Sequence, residues 1–345
     1  EGKYHQVRKM LTAVQLKCKR LVRVSIEDLH LSNLAPGQVK EIQEVSFTKR
    51  LPVSKEIINV QKDLGARNLG QDLPILLKNQ MSVVATSDAG NGVGYTGFRI
   101  RGSAGTSINV MLNGVPYNDS ESQGTFFVNI PDMASSASQI VIQRGVGTSS
   151  NGTASFGASV NILTKNPEEK PYFLTNQSAG SFNTFKHSFE AGTGKFLNNL
   201  LSVSARYSII NSDGYIDRAF SKLNSYNINA LFEKGNTKLR FLTFGGKEKT
   251  YQSWNGTDAE TLNSDRTFNS AGIFTDESGQ TRFYDNETDN YQQDHYQLHW
   301  NEKLTEKWST NLAFHYTKGK GFYENYKEDV DFSDYGLLPL GPVVT

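Results

Sequence analysis

The residues best equipped for chemistry lie thinly along the chain. Six histidines (His5, His30, His187, His295, His299, His315) include no HExxH pair. His295 and His299 stand four apart in an alternating stretch, on one strand face with about two pleats between them, a poor spacing for a metal pair. Asp119, Glu121, Asp285, Glu287 and Asp289 offer the oxygens a hard cation such as Ca²⁺ takes, but in no calcium-loop spacing, and a solvated acidic loop is expected. No nucleophile elbow, phosphate loop or paired-acid constellation is present. The small-residue runs TSINV and GTSS have no base near them in sequence. The expectation is a non-enzyme with no catalytic residue, resident metal or cofactor. Cys18 is the single cysteine, so one chain holds neither a disulfide framework nor a cysteine metal cluster. The arginines are better placed. Arg99 and Arg101 alternate with Phe98 and Ile100 in GFRIRG, and Arg144 follows IVIQ. A guanidinium fork suits two-point pairing with a carboxylate. Two glycine-bearing loops, SDAGNGVGYTG (87–97) and YNDSESQGTFF (117–127), carry flat aromatic contact surface.

The balance of 36 Lys+Arg against 35 Asp+Glu makes no case for nucleic acid, which needs a concentrated basic patch. Only residues 1–24 are locally basic, and a solvated tail is expected there. The apolar run 10–16 is broken by Thr12 and Gln15, so neither an intact export signal nor a transmembrane helix is read. Barrel strands remain open to the chain, because short alternating strands never raise bulk hydrophobicity. Twenty Phe, 15 Tyr and 30 Gly with few long apolar runs fit that option.

Two element patterns must position these residues. Residues 50 to about 165 mix periods. Leu69, Leu73, Leu76 and Leu77 share helical spacing, with Pro74 splitting or starting that helix. Strands are predicted at 97–102, 108–119, 139–145 and 159–165, with a tight turn at Asn113-Gly114 and a short helix over 130–138. The Gly- and Ser-rich run 145–158 suits close backbone approach. This half is a small α+β domain.

From residue 171 long alternating strands take over, near 171–180, 183–193, 199–211, 222–233, 236–250, 290–302 and 307–318. Leu201, Val203, Ala205, Tyr207 and Ile209 share one face, and Ser202, Ser204, Arg206 and Ser208 the other. Period 2 alone suits a soluble sandwich or a membrane barrel. Strand length favours the barrel, as do aromatics expected near strand ends (Phe185, Tyr207, Tyr226, Trp300, Trp308, Tyr316). So does the alternation of short turns with long polar loops at 212–221 and 251–289.

Several stretches then stand in a recognisable order: EIQEVSFTKRLPVSKE (41–56), LPILLKN (73–79), GFRIRG (97–102), INVMLNGVPYND (108–119), IPDMASSASQIVIQRGVGTSSNGTASFGASVNILTK (130–165) and QSAGSFNTFKHSFEAG (177–192). Together they resemble the TonB-dependent outer-membrane receptor family. The resemblance implies an α+β plug domain followed by antiparallel transmembrane β-barrel strands. Residues 1–40 stay unassigned, 41–49 form an extended coupling segment, 50–166 the plug, and 167–345 the first strands of a barrel that has 22 strands in this family. At seven strands in 175 residues, closure takes roughly 550 barrel residues, so a truncated barrel is expected.

The family's role is energised import of a scarce ligand across the outer membrane of a Gram-negative-type bacterium. An iron chelate (siderophore) or cobalamin is implied. A glycan-importing receptor of the same fold and a surface adhesin are the alternatives. Tyr95, Tyr117, Asn118, Asp119, Phe126 and Phe127 would form the ligand surface on the plug apices. Arg101 and Arg144 would hold the plug through barrel-wall glutamates. Glu44, Val45, Ser46 and Phe47 would pair with a TonB-like periplasmic energy-transducing protein by strand addition, which their extended, β-branched surroundings suit. Outer-membrane lipid is the remaining partner.

Overall fold

The computed structural model describes residues 54–145, 155–328 and 330–337, together with two short paired strands, β1 (Ser25–Ile26) and β2 (Leu29–His30). Residues 1–52 and 53–345 form separate units. The coupling segment expected at 41–49 lies outside the described residues.

The small domain of the second unit is built on a five-stranded sheet. In spatial order it runs β3 (Ser54–Asn59), β8 (Ala137–Arg144), β9 (Ala158–Thr164), β6 (Ile108–Leu112) and β7 (Val115–Pro116). Only β6 and β9 are parallel. Every residue of β6 is buried, as expected of a central strand covered on both faces. A separate hairpin joins β4 (Val83–Ser87) to β5 (Thr96–Ile100), with the first glycine-bearing loop between them. Ile58, Leu64, Val110, Leu112, Ile140, Ile142, Val160 and Ile162 form the core.

Helix is scarcer than the leucine spacing implies. The helical turn covers only Leu73–Leu76, with Pro74 in its first turn where no donor is missed, and Leu69 is exposed. A second single turn, Met133–Ser136, replaces the helix expected over 130–138, because β8 already begins at Ala137.

The second half is one antiparallel meander: β10 (Pro171–Gly180), β11 (Thr184–Phe196), β12 (Leu201–Ser212), β13 (Ser221–Lys234), β14 (Thr237–Tyr251), β17 (Thr288–Lys303) and β18 (Ser309–Tyr323). A small hairpin, β15 (Ile273–Thr275) with β16 (Thr281–Phe283), decorates the long loop before β17. Strand lengths run from 10 to 16 residues, against about 5 to 6 in ordinary sheets. Among the described residues β10 and β18 are the two edges.

The burial of the two faces settles what periodicity left open. In β12 the polar Ser202, Arg206 and Ser208 are buried while Tyr207 is 47% exposed. In β17 His295 and Gln297 are buried while Tyr296, Leu298 and Trp300 face outward. A soluble sandwich buries its apolar face. Here the polar face lies against the small domain and the apolar face looks away, the arrangement of a barrel wall facing lipid. The aromatic girdle is narrower than expected. Phe185, Trp300 and Trp308 stand near strand ends, but Tyr207 and Tyr226 oppose each other mid-strand, and Tyr316 opposes Tyr296 in the same way.

Candidate functional site

One cleft of about 280 Å³ opens where the small domain's two loops meet the wall. Tyr95, Tyr117, Asp119, Phe126 and Asn129 line it from the small domain; Glu248, Asp289, Tyr291 and Gln293 line it from the wall. The first loop is pinned by backbone bonds to the β12–β13 connection, with Tyr215 N–H donating to the Ala89 carbonyl at 2.8 Å. Gly94 makes this approach possible: its φ is +95°, and a Cβ there would fall 2.4 Å from Ser221 Oγ. Tyr95 meets Trp254 edge-on at 5.5 Å between ring centres. Its hydroxyl bonds the Asp289 carboxylate and lies 3.5 Å from Glu248 Oε1. Burial, then these carboxylates, raise the Tyr95 hydroxyl well above the ordinary tyrosine range, so it remains a donor.

The second loop is organised by two side chains. Asn118 donates to the Ile108 and Gln123 carbonyls, both at 2.9 Å, and accepts from Val110 N–H at 2.7 Å. Asp119 Oδ1 accepts from Ser122 N–H at 2.7 Å and Glu121 N–H at 3.0 Å. The Ser122 amide leads the contacts that hold its carboxyl below the usual range. Tyr117 donates to the Phe126 carbonyl at 2.9 Å and reaches Gln293 at 3.4 Å. Burial keeps that hydroxyl protonated too. His295 stacks on Phe244 at 4.7 Å, with Tyr117 tilted against it.

Of the six expected contact residues, Tyr95, Tyr117, Asp119 and Phe126 therefore come together in one cleft. Phe127 does not: it is 3% exposed and packs on Phe98 in the core. The polar ends of Asn118 are committed to the backbone of its own loop. Sequence reasoning missed the wall's contribution. Glu248 carried no signal, and Asp289 was weighed only as a cation ligand in a loop, although it is the second residue of β17.

With this geometry in view, comparison with known proteins is decisive for the small domain. Residues 49–159 match the family model described as the TonB-dependent Receptor Plug Domain. Residues 49–159 are the plug domain of a TonB-dependent receptor. No curated protein matches the chain by sequence. Among solved structures it is similar to the ferric citrate transporter FecA in its unliganded form, with a TM-score of 0.62 and 15% identity over 79% of this chain and 41% of that one. It is also similar to the ferric-catecholate import receptor Fiu from E. coli K12 in its open form, with a TM-score of 0.57 and 16% identity over 79% and 39%. The ferric yersiniabactin uptake receptor FyuA from Yersinia pestis gives 0.56 and 14% over 79% and 42%. The chain thus spans about two fifths of the length of these receptors. Its long strands match their barrel walls in fold.

The plug meets that wall through a buried ionic contact that differs from the expected arginine latch. Asp132, in the left-handed region at φ 55°, heads the Met133–Ser136 turn. Its Oδ1 accepts from Lys186 Nζ at 2.6 Å and from Ser135 Oγ at 2.5 Å. Its Oδ2 accepts from Arg206 Nη1 at 3.1 Å and Ser208 Oγ at 2.7 Å. Burial opposes ionisation of Asp132, but the Arg206 and Lys186 charges outweigh it and hold the carboxyl below its ordinary range. Nearby, Gly246 lets the plug touch the wall backbone. A Cβ there would fall 2.5 Å from the Asn129 carbonyl oxygen and 2.6 Å from Pro131 Cδ.

The two arginines singled out from sequence sit elsewhere. Arg144 is buried and pairs with Glu56 on the adjacent plug strand, while its Nε donates to the Met81 carbonyl at 2.9 Å. Arg101 is exposed at φ 52°, beyond the end of β5, so it does not share a strand face with Arg99. In this contact the plug carries the acid and the wall the bases.

Proposed function

We propose that this chain is the plug and opening barrel wall of an outer-membrane receptor that imports a scarce solute, an iron chelate or cobalamin, in an energised step. The observation that carries this reading is the cleft shared by Tyr95, Tyr117, Asp119 and Phe126 of the plug with Glu248 and Asp289 of the wall. It lies on the side of the long loops: Trp254, from the loop after β14, packs on Tyr95. The plug leaves toward the barrel at the opposite end, where Arg240 and Asn229 donate to the Lys165 carbonyl beside the short turns.

That polarity suits a solute entering from the cell exterior and meeting a stoppered lumen. The outward apolar face suits outer-membrane lipid. Glu44, Val45, Ser46 and Phe47 are proposed to engage a TonB-like periplasmic protein, whose pull would displace the plug. The role is transport, with no chemical step on the solute. Iron import stands in the names of the fold relatives, and supports the iron-chelate reading over cobalamin.

Deletion of the receptor, followed by growth on a panel of iron chelates, cobalamin and glycans as limiting nutrients, tests this. Loss of growth on one chelate, restored by the intact gene, is the expected result. Loss confined to glycans would replace the solute class, and unchanged growth on every source would argue against import.

A further inference from the structure

The cleft is chemically one-sided. Among the described residues its lining holds three carboxyl groups (Asp119, Glu248, Asp289) and no Lys, Arg or His. Glu248 is 1% exposed, yet its carboxylate has only two contacts, Tyr95 Oη and Thr250 Oγ1, both at 3.5 Å. Those are at the outer limit of a hydrogen bond. Among the described residues no ion pair engages Glu248 or Asp289. The Tyr95 hydroxyl has one proton for two carboxylates. By contrast, the other deeply buried carboxylate at the plug–wall boundary, Asp132, has two cations on it. A buried carboxyl without one is an acceptor open to an incoming cation rather than a settled charge.

A second observation is independent of the acids. Asn129 lines the same cleft, is 7% exposed, and its Oδ1 has no hydrogen-bond partner among the described residues. A buried amide oxygen left so is costly, and it calls for a donor. The unmet needs therefore agree: carboxyl groups without a cation and an amide oxygen without a donor. Tyr95, Tyr117, Tyr291 and Phe126 add aromatic walls, which attract an organic cation by their quadrupoles.

We propose that this cleft receives a positively charged nitrogen of the transported solute, an ammonium or guanidinium arm, and so selects a chelate bearing such an arm over a polyanionic one. The inference rests on the reading that the cleft admits the imported solute. A polyanionic chelate would bring like charge against Asp119 and Asp289, and would leave Asn129 Oδ1 unmet. A cationic arm brings both the charge and the donors that this lining lacks.

The test uses the full-length receptor purified in detergent and three defined compounds: a linear ferric trihydroxamate with a free terminal ammonium, the same chelate with that amine acetylated, and an anionic ferric tris-catecholate. Quenching of tryptophan fluorescence reads binding, since Trp254 lies against Tyr95. The ammonium form should bind about tenfold or more tighter than its acetylated twin, the scale of one desolvated cation contact. Glu248→Gln and Asp289→Asn should each shrink that ratio, and the double variant should bring it close to one. Circular dichroism and heat stability like those of the native receptor report that the variants are folded. Equal affinity for the twins, tighter binding of the catecholate, or a ratio that survives the double variant would overturn charge selection and leave the import reading standing. Failure of all three chelates to bind the native receptor would remove the iron-chelate reading itself, and this inference with it.

Discussion

Lys186 of the second wall strand holds its ammonium 2.6 Å from the Asp132 carboxylate of the plug, and both side chains are fully buried. Arg206 completes the site from the next strand, with Nε on Ser136 Oγ at 2.6 Å and Nη1 on Asp132. One plug acid thus bridges two adjacent wall strands. The contact defines where the plug is held among the described residues, and its chemistry sets what disruption does.

Replacing Asp132 with Ala should loosen the plug without unfolding the wall. Removing one member of a buried pair costs about 3–5 kcal/mol, chiefly because the remaining charge is stranded. Here two cations would be stranded, while the strand ladders stay intact. Faster amide exchange across residues 127–137 and entry of a large antibiotic into cells are the expected signs. Asp132→Asn, which keeps the shape and loses the charge, should give an intermediate effect. Exchange and exclusion like those of the native receptor in Asp132→Ala would show that the plug is held elsewhere. The folded carboxyl is depressed, so its contribution is fully present above about pH 4 and is lost only as acid brings pH through the lower folded value.

Asp72 gives the opposite sign. It is 2% exposed and Oδ1 has no hydrogen-bond partner among the described residues. Burial pushes its carboxyl up to about 8, against about 3.9 in an unfolded chain. The folded plug therefore retains a proton that the unfolded chain gives up between these values. Its stability should fall as pH rises from about 4 to about 8, then level off. Asp72→Asn should flatten that trend and slow exchange over residues 73–76 and 96–100 at pH 8, after correction for the intrinsic rate. Parallel pH trends in the two proteins would place Asp72 in the ordinary carboxylate range.

Topology can be checked on intact cells. Asn255 lies in the long loop after β14, and Lys234 ends β13 beside a two-residue turn. In a Cys18→Ser background, Asn255→Cys should react with an impermeant maleimide on whole cells. Lys234→Cys should react only after the outer membrane is opened. The reverse pattern would invert the orientation.

Energy coupling is tested in the segment before the plug. Val45→Pro removes a backbone donor from the stretch proposed to add as a strand to the periplasmic partner. Uptake should drop by tenfold or more, the scale of about 1.4 kcal/mol in the pairing, while surface binding of solute persists. Unimpaired uptake would assign coupling to another segment.

Much of this protein was legible without coordinates, because period and spacing are local. The seven long strands fall within a few residues of the expected bounds, since alternation reports a half-buried strand directly. Strands β5, β6, β8 and β9 likewise fall in the predicted stretches, whereas β3 and β4 were not predicted. The loops carrying Tyr95, Tyr117, Asp119 and Phe126 were legible as glycine-relaxed aromatic segments. Local pattern failed where a distant partner decides the outcome. Leu69 keeps helical spacing with Leu73, yet no helix forms there and Leu69 stays exposed. Phe127 and Phe126 are equivalent in sequence; only the packing of Phe127 on Phe98 separates core from cleft. Arg144 ends β8, and its ion pair with Glu56 of the neighbouring strand, 88 residues away, had no local signal. The polar strand face of Arg206 and Ser208 could have met water or protein. Docking of the plug buried it and turned the apolar face outward. The charge of the cleft was least legible of all. Glu248 and Asp289 stand 153 and 194 residues from Tyr95, and only the antiparallel register of β14 against β17 brings them to one hydroxyl.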